Sequence, residues 1–180
     1  LFFQDDSNLD SLKLKTLESG RQLVSIAIRR KFAEINNPVG YLMSNIESLK
    51  DYMSQFDIKT KLTANIPEVF GTKNQIEQVL MNILINAKHA INKDKGTITI
   101  ETFANSEFVF LHITDTGFAM DDKTKQRLFD PFFTTKEVGV GTGLGLLISY
   151  KIIEAYRGLI EVESEINKGT CFKISLPIPE

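Results

Sequence analysis

In the first third of the chain, apolar residues recur at three- and four-residue spacing: Leu9, Leu12, Leu23 and Ile26, then Leu42, Ile46, Leu49, Met53 and Phe56. This is a helix period and not a strand alternation, so a long helical element is predicted from Leu9 to about Phe56. Unbroken, it would extend roughly 70 Å at about 1.5 Å per residue. A stripe of that length needs a surface to bury against, which implies a bundle or a partner chain. Pro38 falls inside it and should kink it, because proline lacks an amide hydrogen and clashes with the preceding turn.

From Lys59 onward both periods appear. Asn74–Ile91 reads as an amphipathic helix with Ile76, Val79, Leu80, Ile83, Leu84 and Ala87 on its apolar side. Asn74 is the expected N-cap, with Glu77 three positions later. Strand alternation follows in Thr97–Phe103 and Phe108–Thr114, joined by a polar turn at Asn105-Ser106. A second helix is expected over Leu144–Tyr156, then strands Leu159–Ser164 and Thr170–Leu176 around a Lys168-Gly169 turn. Strand pairs beside helices, without regular βαβ alternation, predict an α+β sandwich with helices on one face of a mixed sheet.

Composition narrows the function classes. With 180 residues, 42% hydrophobic and 24% charged, the chain suits one ordinary globular domain, or one small domain plus an appended helical element, and not a disordered tail. A net charge of −2 offers no basic field for nucleic acid. The single cysteine, Cys171, precludes an internal disulfide or zinc cluster and points to a reducing, intracellular compartment. No apolar run is long enough to span a bilayer. The start, Leu1-Phe2-Phe3-Gln4 followed by Asp5 and Asp6, does not read as a signal peptide.

Candidate chemistry begins with Gly139-Val140-Gly141-Thr142-Gly143-Leu144-Gly145, just before the second predicted helix. Glycines let backbone amides approach a ligand, and a following helix N-terminus favours phosphate. The bland alternative is a flexible loop. Leu146 and Leu147 stand where a P-loop needs Lys-Ser or Lys-Thr, and the glycine spacing is not that of a dinucleotide fingerprint. The H-R-D and D-F-G segments of Ser/Thr kinases are absent. Asn82 and Asn86 share a helix face, and an amide oxygen there suits Mg²⁺ held mostly by phosphates and water. Asp115-Thr116-Gly117 ends a strand, where a carboxylate can accept from an exocyclic amine. Phe129-Asp130-Pro131-Phe132-Phe133 is either a core plug or a hinge leading into the glycine loop.

Asn82–Ala87, Asp115–Gly117, Phe129–Phe133 and Gly139–Leu146 resemble, in order and spacing, the N, G1, F and G2 boxes of sensor histidine kinases, whose catalytic domain is a GHKL (Bergerat-fold) ATPase. The resemblance covers Pro67–Pro177. It implies ATP and Mg²⁺ as cofactors, with Asn86 as the metal ligand and Asn82 one turn earlier beside it. It implies that Asp115 recognises adenine, with Gly117 and Thr170 in the same nucleotide site. Gly141, Thr142, Gly143, Leu144 and Gly145 would surround the phosphates. His89 and Lys136 occupy positions where a basic residue meets phosphate, although either could equally be a solvated surface group. Hydrolytic members of the superfamily carry a glutamate where this chain has Asn82, so ATP is expected to be held for transfer, not hydrolysed.

Glu34-Ile35-Asn36-Asn37-Pro38 resembles the H box of the helical dimerisation domain. The implied division is 1–58 for the dimerisation and phosphoacceptor element and 59–180 for the catalytic and ATP-binding domain. The acceptor histidine is absent: either Ala33 replaces it, or the chain is one residue short between Ala33 and Glu34. Glu34 takes the position of the general base and Asn37 that of the group orienting water for dephosphorylation. The family also has a second antiparallel helix, whereas here Asp57–Lys61 leads almost directly to Leu62–Phe70, which resembles a later strand. Ala119 stands where the G1 box usually has a second glycine.

The resemblance therefore implies the cytoplasmic core of a sensor histidine kinase. It would be homodimeric, would have a response-regulator receiver domain as partner, would not bind nucleic acid, and would continue upstream into a sensor or membrane region. As it stands it would be unable to autophosphorylate. A regulator phosphatase or nucleotide-gated scaffold is the alternative. A serine kinase of the anti-sigma-factor type would share the ATP domain but has no reason to keep Glu34–Pro38.

Overall fold

The computed structural model describes residues 56–91, 96–136 and 141–179. The expected helix from Leu9 to Phe56 lies, but for its last residue, outside the described residues, as do Ala33, Glu34, Asn37, Gly139 and Val140.

The described elements are β1 (Asp57–Leu62), α1 (Lys73–Ala90), β2 (Thr97–Ala104), β3 (Phe108–Asp115), α2 (Asp122–Arg127), α3 (Gly145–Ala155), β4 (Leu159–Glu165) and β5 (Gly169–Pro177). The five strands form one mixed sheet in the order β1-β2-β3-β5-β4. β1 runs parallel to β2 and the other pairs are antiparallel. Alternation along each strand sends one set of side chains inward. Ile98, Ile100 and Thr102 of β2, Val109, Leu111, Ile113 and Asp115 of β3, and Thr170, Phe172, Ile174 and Leu176 of β5 are all buried.

Helices α1 and α3 pack against each other and onto the sheet, α1 over β3 and α3 over β4. The apolar side of α1 read from the sequence is the side it buries: Ile76, Val79, Leu80, Ile83, Leu84 and Ala87. α3 buries Ser149, Ile152 and Ile153. The expected sandwich of helices against a mixed sheet is therefore present. Among the described residues, no helix is long and apolar enough to cross a membrane.

Local chemistry accounts for the boundaries. The β2–β3 hairpin turns where Asn105 Oδ1 accepts the N–H groups of Glu107 (2.8 Å) and Phe108 (2.7 Å), a side chain replacing a backbone acceptor. The start of α1 differs from expectation. Thr72, not Asn74, is the N-cap residue, and its hydroxyl bonds Gln75 Oε1 (3.0 Å) instead of a backbone amide. The cause is tertiary: the buried Tyr156, just past α3, accepts the Thr72 N–H at its hydroxyl (2.9 Å) and also bonds Gln75 Oε1.

Leu62–Phe70 is likewise not a strand. Leu62 ends β1, and residues 63–70 are irregular. The Thr63 hydroxyl donates to the Thr102 carbonyl (2.6 Å), which finishes the β1–β2 pairing before Pro67. β1 itself was not foreseen, because a half-exposed edge strand carries only a weak alternation. Nor was α2, which buries no residue and is specified by a cap: Asp121 Oδ1 accepts the Thr124 N–H (2.8 Å).

Candidate functional site

Asp115 is the last residue of β3, and strand alternation turns it inward instead of toward solvent. It is 2% exposed. Its carboxylate accepts the N–H groups of Gly117 (2.8 Å) and Thr170. Burial pushes its pKa up to about 6, and the two N–H donors oppose a larger rise. The Thr170 hydroxyl lies 2.9 Å from Ser164 Oγ, which accepts the Met120 N–H (2.8 Å). These bonds tie the segment after β3 to the β4–β5 hairpin. The same segment also lies on the end of α1. Phe118 N–H donates to Ala90 O (2.9 Å), and a Cβ at Gly117 would come within 2.6 Å of that oxygen, so only glycine fits.

Earlier along α1, Asn82, Asn86 and His89 fall on one side at helical spacing. Asn82 Nδ2 donates to Gly145 O (2.8 Å) and Ser149 Oγ (3.1 Å), so its amide clamps α1 to the first turn of α3. Asn86 Oδ1 accepts from the Lys136 ammonium (3.0 Å). His89 Nδ1 lies 3.1 Å from Lys136 Nζ and 2.6 Å from Ile85 O. Lys136 is half-buried, and burial lowers its pKa.

The glycine segment reaches the same side of α1. Gly141 lies against Thr134 and Lys136. Thr142 Oγ1 is 3.4 Å from the Leu144 nitrogen. Gly143 has φ +66°, and its Cα faces the Phe132 backbone, where a Cβ would come 2.4 Å from the carbonyl carbon. A side chain there would be both strained and overlapping. α3 begins at Gly145 with no side-chain cap and no acidic residue in its first turn, which leaves its N-terminal amides suited to an anion. The aromatic cluster steadies the approach: Phe129 packs on Tyr150 (5.3 Å between centroids) and Arg127 lies over Phe133 (4.5 Å).

Two groups of residues are thus assembled. Asn82, Asn86, His89, Lys136, Gly141 and Gly145 gather along α1, and Gly117 and Thr170 gather on the Asp115 carboxylate, with the Gly117-Phe118 segment meeting the end of α1 at Ala90. Ser149 and Ser164 also take part, although neither is expected from the motifs. Ser149 lies four residues after Gly145, so its hydroxyl faces back toward that carbonyl (3.0 Å), a spacing that could have identified it. Among the described residues, no three His, Cys, Asp or Glu side chains converge as a metal cage. The cation-facing oxygen of Asn86 instead suits Mg²⁺ that takes most of its ligands from phosphate and water.

A family model described as histidine kinase-, DNA gyrase B- and HSP90-like ATPase matches residues 71–180. Sporulation kinase E of Bacillus subtilis (strain 168) is 42% identical over 127 residues, covering 70% of this chain and 17% of its own length. The catalytic domain of the histidine kinase ThkA superposes with a TM-score of 0.67 at 28% identity, covering 81% of this chain and 98% of that one. Full-length ShkA in complex with AMPPNP superposes with a TM-score of 0.67 at 21% identity, covering 98% of this chain and 40% of that one, a likeness of fold. The chain spans 17–24% of the length of the first curated relatives it matches.

The buried carboxylate makes a stability prediction. The Asp115 pKa is raised from 3.8 to about 6, so the folded state holds this proton more tightly than the unfolded state does. Its contribution is most favourable below about pH 4, declines as pH rises through about 6, and is constant above that. Relative to Asp115→Asn, the wild type should lose on the order of 3 kcal/mol between about pH 4 and pH 7. Urea unfolding of both proteins across that range checks it; parallel stability curves would contradict the assignment.

Proposed function

The chain belongs to the histidine kinase-, DNA gyrase B- and HSP90-like ATPase family, and from that premise we propose that it is the ATP-binding core of a two-component sensor histidine kinase. The observation that carries this reading is the convergence of three separate segments on one side of α1: Gly145 at Asn82, Lys136 at Asn86 and Phe118 at Ala90. Sensor and sporulation kinases among the relatives support it.

In this reading the Asp115 carboxylate accepts from the adenine amine, framed by Gly117 and Thr170. Backbone amides from Gly141 to Gly145 and the start of α3 face the phosphates, together with His89 and Lys136. Asn86 would hold Mg²⁺, which when bound neutralises and orients the β- and γ-phosphates. Asn82 supplies no carboxylate to activate water, and its Nδ2 is engaged with Gly145 and Ser149, which supports ATP held for transfer.

The H-box segment extends the proposal. With histidine at position 33, Glu34 would take its proton as the ring nitrogen attacks the γ-phosphorus, the bond to the β-phosphate oxygen would break and ADP would leave, and the phosphoryl group would pass on to an aspartate of a response-regulator receiver domain. Two chains would pair through the Leu42, Ile46, Leu49 and Met53 stripe, in the cytoplasm, below an upstream sensor or membrane region. Ala33 offers no nucleophile, so this chain would hold ATP without labelling itself. Retention of Glu34 and Asn37 beside Ala33 favours a second reading, a regulator phosphatase or nucleotide-gated scaffold in which Asn37 orients water on a docked phospho-aspartate.

Calorimetric titration with a non-hydrolysable ATP analogue tests the nucleotide site. Asp115→Ala should weaken binding about 10- to 100-fold, the worth of a charged hydrogen bond. Asn86→Ala should weaken Mg²⁺-dependent binding by about tenfold or more. Equal affinity in all three proteins would sink the assignment. With γ-labelled ATP, the chain should acquire no base-stable, acid-labile phosphate, and Ala33→His should restore it. Strong base-stable label on the unaltered chain would place the acceptor elsewhere. If histidine restores labelling only when inserted between Ala33 and Glu34, the chain is one residue short there instead of substituted.

A further inference from the structure

We propose that the Lys136 ammonium is a built-in substitute for the metal on Asn86, so that this site binds nucleotide with little dependence on Mg²⁺. The inference rests on the reading of the site as an ATP site, and goes beyond it in assigning Lys136 a second position. Asn86 Oδ1, the oxygen expected to meet Mg²⁺, is engaged by a positive charge from the chain itself at 3.0 Å. Mg²⁺ binds oxygen at about 2.0–2.1 Å and keeps a full octahedral shell. An ammonium on the same oxygen therefore competes with the metal, because two cations held on one amide oxygen repel each other at short range.

Four observations indicate that the lysine is placed there, and is not a surface group passing by. Its backbone N–H donates to Thr134 Oγ1 (3.1 Å), which fixes the residue at the base of its side chain. Lys136 is half-buried, yet among the described residues no carboxylate forms an ion pair with it. A partly desolvated ammonium without a counter-charge is suited to an incoming anion. Its other contact, His89 Nδ1, is contested: that nitrogen is also 2.6 Å from Ile85 O, and a single ring nitrogen cannot donate to a carbonyl and accept from an ammonium at once. Asn86 is therefore the firm partner. Finally, Gly141 abuts the lysine's own Cβ and Cδ, so a phosphate on the glycine segment would meet the same side chain.

Two binding regimes follow. Without Mg²⁺, Lys136 bridges Asn86 and the phosphates. With Mg²⁺, the metal takes the Asn86 oxygen and Lys136 retains only its attraction to the phosphates. A lysine that is simply a phosphate ligand would be energetically independent of Asn86, whether or not Mg²⁺ is present.

The test is the affinity of the full chain for a non-hydrolysable ATP analogue, measured by calorimetry in excess Mg²⁺ and in EDTA. Wild type, Lys136→Met, Asn86→Ala and the double variant would be compared, with folding checked by circular dichroism. The wild type should bind within a few-fold under the two conditions. Lys136→Met should lose at least tenfold more affinity in EDTA than in Mg²⁺. In EDTA the double variant should be no weaker than Lys136→Met alone, because the lysine's effect passes through Asn86. Equal losses for Lys136→Met with and without Mg²⁺, or additive losses in EDTA, would overturn the proposal while leaving the ATP site intact. No binding by the folded wild type under either condition would instead overturn the ATP reading itself.

Discussion

The polar side of α1 is the constraint on which the site depends. Its opposite side is fixed by six buried apolar residues, so the rotation of the helix about its axis is not free. Once that rotation is set, Asn82, Asn86 and His89 must face the space between α1 and the segments leading into α3. Each turn then receives a different part of the chain: Gly145 through 2.8 Å at Asn82, Lys136 through 3.0 Å at Asn86, and Phe118 through 2.9 Å at Ala90. Core packing thereby sets the geometry of a site whose bonded members are up to 67 residues apart.

The second organising feature is a cost. Strand alternation places Asp115 on the buried face, in line with Ile113 and Leu111, where a carboxylate is unfavourable unless it is satisfied. Two backbone N–H groups satisfy it only in part, since its pKa still stands at about 6. A ligand donor that meets this carboxylate would relieve a penalty the folded chain already carries. In the proposed function that donor is the adenine amine. In that reading the arrangement trades some stability for recognition, as functional sites commonly do.

Much of this was legible in the sequence, for physical reasons that differ by element. The α1 core positions follow from a strong 3.6-residue period, and β2, β3, β4 and β5 from alternation bounded by turn residues such as Asn105 and Gly169. β1 escaped because an edge strand with alternate exposed residues barely alternates in hydrophobicity, and α2 because it buries nothing. The cap of α1 was misplaced because Tyr156, 84 positions away from Thr72, decides where the helix starts. Within the site, the residue types and their spacing were readable but their partners were not. Nothing local shows that Asn82 would spend its amide on Gly145 and Ser149, or that Lys136 would reach Asn86 across 50 positions. Those pairings exist only once α1 and α3 pack.

The central claim, that the convergence on α1 is a nucleotide site, is most directly tested by amide chemical-shift mapping of the ¹⁵N-labelled chain with a non-hydrolysable ATP analogue. The account predicts shifts concentrated at Gly117, Thr170 and Gly141–Gly145 and at the side-chain amide of Asn86. The outward sheet residues Phe103, Phe110 and His112 should stay unperturbed. Perturbations centred on that outer sheet face, with Gly117, Thr170 and Asn86 silent, would contradict it.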